Sequence, residues 1–164
     1  MRLFIAIQLT DELQAALTET MHQCKKAGVK GSYAPKQNLH LTLAFLGEVK
    51  DAQPVRDLMN RFTFKPFKLS LSGTGTFGDI VWAGVKGNQG LAAAVKDLRA
   101  ALDAAGIDYD RKKFTPHITL IRRAAGRWQG VPAPKGEMMV KSFSLMKSEV
   151  KDGRRVYTEI MSVG

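Results

Sequence analysis

Only three of the 164 residues are histidines, and two of them occupy the same short setting. Residues 40–43 read HLTL and residues 117–120 read HITL. Each motif sets an imidazole, able to give or take a proton near neutral pH, two positions before a hydroxyl. In an extended strand successive side chains alternate faces, so His40 and Thr42 share one face while Leu41 and Leu43 share the other. His117 and Thr119 stand against Ile118 and Leu120 in the same way. Each strand then anchors itself by its aliphatics and offers an imidazole with a hydroxyl. Two such strands facing one cleft supply an acid, a base and two hydroxyl donors. In-line attack at phosphorus calls for that set: the attacking and leaving oxygens lie on opposite sides, and charge collects on non-bridging oxygens to which a Thr hydroxyl can donate.

The pair carries more weight than its members. A lone histidine on a strand is most often a hydrogen-bonded structural residue, and repetition of His-x-Thr with flanking aliphatics is what favours chemistry. His22 falls mid-helix beside Gln23 and reads as a solvated surface residue. Cys24 shares a helix with Leu17 and Met21 and reads as core rather than nucleophile. Two histidines with no cysteine, and no acid inside either motif, leave too few ligands for zinc. Gly73, Gly75 and Gly78 are followed by neither a GK[ST] sequence nor a helix, so they read as a turn and not as a phosphate loop.

The elements that must position these residues alternate along the chain. Residues 2–9 read as a strand, and Thr10 caps a helix over 11–27 with Leu13, Ala16, Leu17, Met21 and Cys24 at helical spacing and Gly28 as its stop. Residues 39–46 read as the first motif strand and 52–62 as a short helix. Strands at 67–78 and 80–85 follow, then a helix capped by Asn88, with Leu91, Val95, Leu98 and Leu102 in one stripe, ending at Gly106. Residues 117–121 read as the second motif strand and the Gly- and Pro-rich 123–136 as a loop. Segments 138–150 and 154–163 form a closing hairpin about Lys151-Asp152-Gly153. Strand, long helix and His-bearing strand thus occur twice, which predicts two related lobes with the motif strands side by side across a pseudo-twofold axis.

Composition sets the bounds. The length fits one domain over 1–164 with a sizeable core. No apolar run is long enough to cross a membrane, and "MRLFIAIQLTDEL" reads as a first strand and not a signal peptide. A single cysteine excludes an internal disulfide and points to a reducing, cytoplasmic home. A net charge of +10 favours polyanionic partners. The charge clusters at Arg111-Lys112-Lys113 before the second motif and at Arg122, Arg123 and Arg127 after it.

Paired HLTL and HITL in a basic chain of this size resemble the two-histidine (2H) phosphoesterase superfamily, and within it the RNA 2′,3′-cyclic phosphodiesterase, or 2′-5′ RNA ligase, branch. "MRLFIAI", "LHLTLAFLGEV", "VWAGV", "FTPHITLIR" and "SFSLMKSEVKDGRRVYTEI" resemble that branch in order and spacing. The resemblance implies an α+β, bilobal pseudo-twofold fold of two antiparallel sheets flanked by helices around a central cleft. It implies hydrolysis of a terminal 2′,3′-cyclic phosphate to a 2′-phosphomonoester, without metal or cofactor, with 2′-5′ ligation as the reverse. By it His40 matches the proton donor and His117 the proton acceptor, while Thr42, Thr119 and Arg122 contact the phosphate. Strict alternation would put Arg122 opposite His117, so its participation requires the strand to end or bulge there. Phe45, the first-half counterpart of Arg122, has both base stacking and core packing open to it. The implied partner is RNA with cyclic-phosphate ends, tRNA fragments among them, met by a monomer away from any membrane. Phosphodiesterases acting on 2′-5′ oligonucleotides or small cyclic phosphates, and a non-catalytic RNA-end-binding module, are the competing readings.

Overall fold

The computed structural model describes residues 1–164 as nine strands and three helices. In chain order they are β1 (Arg2–Gln8), α1 (Asp11–Lys26), β2 (Lys30–Tyr33), a 3₁₀ turn (Lys36–Asn38), β3 (His40–Glu48), α2 (Gln53–Arg61), β4 (Phe67–Phe77), β5 (Ile80–Val85), α3 (Gln89–Ala104), β6 (His117–Ala125), β7 (Glu137–Val140), β8 (Phe143–Lys151) and β9 (Arg154–Val163). The two long helices are built alike. Thr10 Oγ1 accepts the Leu13 amide at 3.4 Å, and Asn88 Oδ1 accepts the Leu91 amide at 2.7 Å, so each first turn is capped by its side chain. Leu13, Leu17, Met21 and Cys24 are buried on α1, as are Leu91, Val95, Leu98 and Leu102 on α3. His22 is exposed.

The strands form two antiparallel sheets, ordered β3-β1-β8-β9 and β2-β6-β5-β4-β7. Without β2 the second sheet repeats the first, with β6 in the place of β3 and β5 in that of β1. Each motif strand therefore pairs with the strand that precedes its long helix, and the two motif strands contact one another between the sheets. One apolar cluster, from Leu3 and Ile5 to Ile118 and Leu145, runs through both sheets and the inner faces of the helices. Burying it is what holds the motif strands in register. No helix is long and apolar enough to cross a membrane.

Three expectations need correction. β2, with the short polar sequence Lys-Gly-Ser-Tyr, carries no hydrophobic signal, yet it pairs with β6 from Lys30↔Ala125 to Tyr33↔Ile121. That partner extends β6 to Ala125, so the loop expected from residue 123 begins later. The segment expected as one strand over 138–150 is two: β7 pairs with β4 in one sheet, and β8 pairs with β1 and β9 in the other. The apolar pattern runs on through Val140, Phe143 and Leu145, so only the change of partner separates them. Finally, Gly73 and Gly75 lie within β4, and the turn is confined to Gly78-Asp79.

A shift of register between Leu71 and Thr74 brings β4 against Gly84 of β5, the residue paired with His117. A Cβ at Gly84 would lie 2.2 Å from the Ser72 carbonyl oxygen, a backbone atom that cannot swing aside. Gly84→Ala is therefore expected to destabilise the protein by about 2–3 kcal/mol through overpacking. Urea unfolding checks this, and an unchanged midpoint would contradict the close approach.

Candidate active site

Both motif strands carry one extra residue at the same place. Opposite β1, Ile5 pairs with Ala44 and Ala6 with Thr42, leaving Leu43 without a partner of its own. Opposite β5, Val81 pairs with Ile121 and Trp82 with Thr119, leaving Leu120 in the same position. A bulge of this kind resets the alternation. Leu43 and Ala44 are both buried, as are Leu120 and Ile121, and the next residues, Phe45 and Arg122, return to the face of the His-x-Thr pair. The alternation that would send Arg122 to the far side is thus broken, and Arg122 lines the cleft with His117. A second irregularity follows, where Arg123 takes a left-handed φ of 53° beside Gly31 of β2.

The cleft between the sheets has a volume of about 780 Å³ and is lined by His40, Thr42, His117, Thr119 and Arg122 together. Each imidazole is tethered from behind in the same way. His40 Nδ1 lies 2.6 Å from the Asn38 carbonyl oxygen, and His117 Nδ1 lies 2.7 Å from that of Thr115. A carbonyl only accepts, so each Nδ1 carries a proton and each Nε2 is left for the cleft. In neutral His40 that Nε2 accepts the Thr42 hydroxyl at 2.9 Å. The Asn38 side-chain amide donates to the Arg155 carbonyl at 3.0 Å, so the residue that orients His40 is itself fixed to β9.

Aromatic rings complete both settings. Tyr157 meets His40 edge-on at 5.2 Å and 89°, and Phe77 meets His117 edge-on at 4.9 Å and 86°. Phe4 lies tilted 4.9 Å from His40, and Trp82 lies tilted 6.2 Å from His117. Trp82 folds over Gly75, where a Cβ would lie 2.4 Å from the indole. Sequence reasoning missed Asn38, Phe77 and Tyr157. The tether could have been sought, since it recurs two residues before each histidine, but the aromatics come from strands whose neighbours only the topology reveals.

Burial holds the His40 pKa below its ordinary value. The Asn38 carbonyl works against this, while the neighbouring Arg122 guanidinium reinforces it. No cluster of three His, Cys, Asp or Glu side chains occurs in the molecule, so the chain offers no protein cage for a metal ion. The arrangement can hold a tetrahedral anion between two Nε2 atoms, with hydroxyls and a guanidinium on its remaining oxygens.

The family model of the 2′-5′ RNA ligase superfamily matches residues 9–152. The chain belongs to that superfamily. It is 35% identical over 136 residues to an RNA 2′,3′-cyclic phosphodiesterase of Geobacillus stearothermophilus, covering 77% of this chain and 42% of that longer protein. It is 32% identical over 168 residues to the enzyme of that name from Escherichia coli K12, covering 97% and 93%. Among solved structures, E. coli LigT in apo form superposes with a TM-score of 0.83 at 32% identity, covering 99% of this chain and 95% of that one. LigT complexed with 3′-AMP gives 0.81 at 32%, covering 99% and 96%.

A depressed pKa ties stability to pH. In this superfamily member the native state resists protonation at His40, so between its folded pKa and about 6.5 the unfolded chain binds more protons. The contribution is fully present above about pH 6.5 and is lost as pH falls through the folded value. NMR titration should place the His40 midpoint below 6.5, and unfolding free energy should fall with acidification across that window. His40→Asn should flatten the dependence; an unchanged slope would contradict it.

Proposed function

We propose that the chain hydrolyses the terminal 2′,3′-cyclic phosphate of RNA to a 2′-phosphomonoester by acid–base catalysis between His40 and His117. The convergence of two tethered imidazoles and two threonines on one cleft is the observation that carries this reading. His117 Nε2 takes a proton from water as it attacks phosphorus, and His40 Nε2 delivers one to the departing 3′ oxygen. Thr42, Thr119 and Arg122 hold the non-bridging oxygens. No metal or organic cofactor is needed, because the leaving oxygen departs protonated and the phosphoryl charge meets hydroxyls and a guanidinium. Run backwards with a 5′-hydroxyl in place of water, the same exchange of protons forms a 2′-5′ linkage.

The lowered pKa of His40 bears on its part as donor. Its burial favours the neutral ring, whose Nε2 accepts the Thr42 hydroxyl. A bound phosphate anion adjacent to that nitrogen favours the imidazolium and turns the Thr42 hydroxyl towards the phosphoryl oxygens. The proton is thus loaded together with the substrate. Phe45 stands on the face of the His-x-Thr pair, its ring a platform for a base. Both half-sites come from one chain, which supports a single domain acting as a monomer. The positive charge and single buried cysteine support cytoplasmic RNA ends, tRNA fragments included, as its partners.

His40→Ala and His117→Ala are each expected to lower kcat/KM on a 2′,3′-cyclic nucleotide by about 10²–10⁴-fold. Wild-type turnover in either variant would remove the dyad. Product analysis on a cyclic-phosphate-terminated oligonucleotide should yield the 2′-phosphate alone and survive chelator. A 3′-phosphate, or cleavage only of 2′-5′ oligonucleotides, would redirect the reading.

A further inference from the structure

A bay of about 210 Å³ opens beside the cleft on the face of the first sheet, sharing His40, Thr42, Arg122, Arg155 and Tyr157 with it. Phe4, Phe45 and Tyr157 line it, and Arg2 and Arg155 add their charge to that of Arg122. The register explains the grouping: Arg2, Ser148 and Tyr157 stand side by side across β1, β8 and β9. Arg155 Nη1 donates to Ser148 Oγ at 3.2 Å, and the Arg2 guanidinium lies over the Phe45 ring. Both cations are held by neutral groups. The four ion pairs of the molecule join the Met1 amino group to Glu48, Lys68 to Glu137, Arg111 to Asp103 and Lys147 to Glu149, and neither arginine takes part. Glu48, opposite Arg2 across β1 and β3, is paired with the Met1 amino group at 3.3 Å, and Glu159 on β9 accepts the Ser144 hydroxyl at 2.9 Å. Two guanidiniums with no carboxylate within ion-pair distance, lining one bay with an aromatic floor, form a receptor for a phosphate.

The position of the bay indicates which phosphate. On the proposed catalytic reading, His40 meets the 3′ oxygen of the terminal ribose, and water approaches from the His117 side. That ribose and its base therefore lie on the His40 side, where the bay opens. Its 2′ and 3′ oxygens belong to the cyclic phosphate, so the RNA strand leaves only through the 5′ oxygen and its phosphodiester. We propose that the Arg2–Arg155 bay is a second phosphate subsite that takes this 5′-side phosphodiester, so that the enzyme selects RNA ends over free cyclic nucleotides. The inference rests on the proposed activity and adds the feature that distinguishes a strand from a monomer.

Three substrates with the same terminal base separate the possibilities: a nucleoside 2′,3′-cyclic phosphate with a 5′-hydroxyl, the same nucleotide with a 5′-phosphate, and the dinucleotide ending in it. Wild-type kcat/KM should be about tenfold or more higher for the second and third than for the first. In Arg2→Ala/Arg155→Ala the ratio should fall towards one, with turnover of the 5′-hydroxyl substrate reporting that the variant is folded. Arg155→Gln, which keeps a donor for Ser148, should lower the ratio severalfold. The wild-type advantage should also shrink with added salt. Equal rates on all three substrates, an advantage kept by the double variant, or an advantage confined to the dinucleotide would each overturn the subsite. Absence of turnover on every substrate would instead remove the catalytic reading, and the subsite with it.

Discussion

Leu43 in one motif strand and Leu120 in the other have no partner on the neighbouring strand, and the composition of the cleft depends on that. An unbroken strand could present the histidine and threonine of its motif, but its fifth residue would turn into the core. The extra leucine buries itself beside the following aliphatic and returns Arg122 to the cleft and Phe45 to the bay beside it. A bulge forfeits part of a ladder and needs packing to sustain it. Here the packing is the shared core, where Leu43, Ala44, Leu120 and Ile121 are all nearly fully buried. The stability of the fold and the reach of the site are therefore set by the same four side chains.

The tethers add a second constraint, on protons instead of positions. With each Nδ1–H given to a carbonyl two residues upstream, both rings present Nε2, and rotation of the His40 ring would leave a part-buried carbonyl short of its donor. Burial then favours the neutral form of His40.

Much of this was legible in the sequence because it lay in local pattern. The paired His-x-Thr motifs, the caps Thr10 and Asn88, the aliphatic stripes of the long helices and the Asp152-Gly153 turn are all read from neighbours a few residues apart. What escaped depended on partners far along the chain. Lys-Gly-Ser-Tyr becomes a strand only because β6 has a free edge, and residues 138–150 divide only because β4 and β1 each claim one part. The bulges escaped for a related reason: the sequence holds two aliphatics in a row, Leu43-Ala44 and Leu120-Ile121, and nothing local says whether the alternation ends or resets. Tyr157 and Phe77 reach the histidines from other hairpins, a relation that no spacing encodes.

The two halves agree where the chemistry is symmetric and differ where the substrate is not. Attack and departure at phosphorus are related by reversal, and for them the frame supplies equivalent parts: tether, imidazole, threonine, bulge and edge-on ring. A nucleotide has no such symmetry, since one side of its phosphorus carries a ribose and base and the other faces water. At the fifth motif position the first half places Phe45 and the second Arg122, one suited to a base and the other to a phosphoryl oxygen. The second sheet adds β2 along β6, while the first carries the arginine-rimmed bay beside His40. On the proposed reading, divergence of two similar half-sites around a shared pair of imidazoles is how a near-symmetric frame fixes the direction in which its substrate lies.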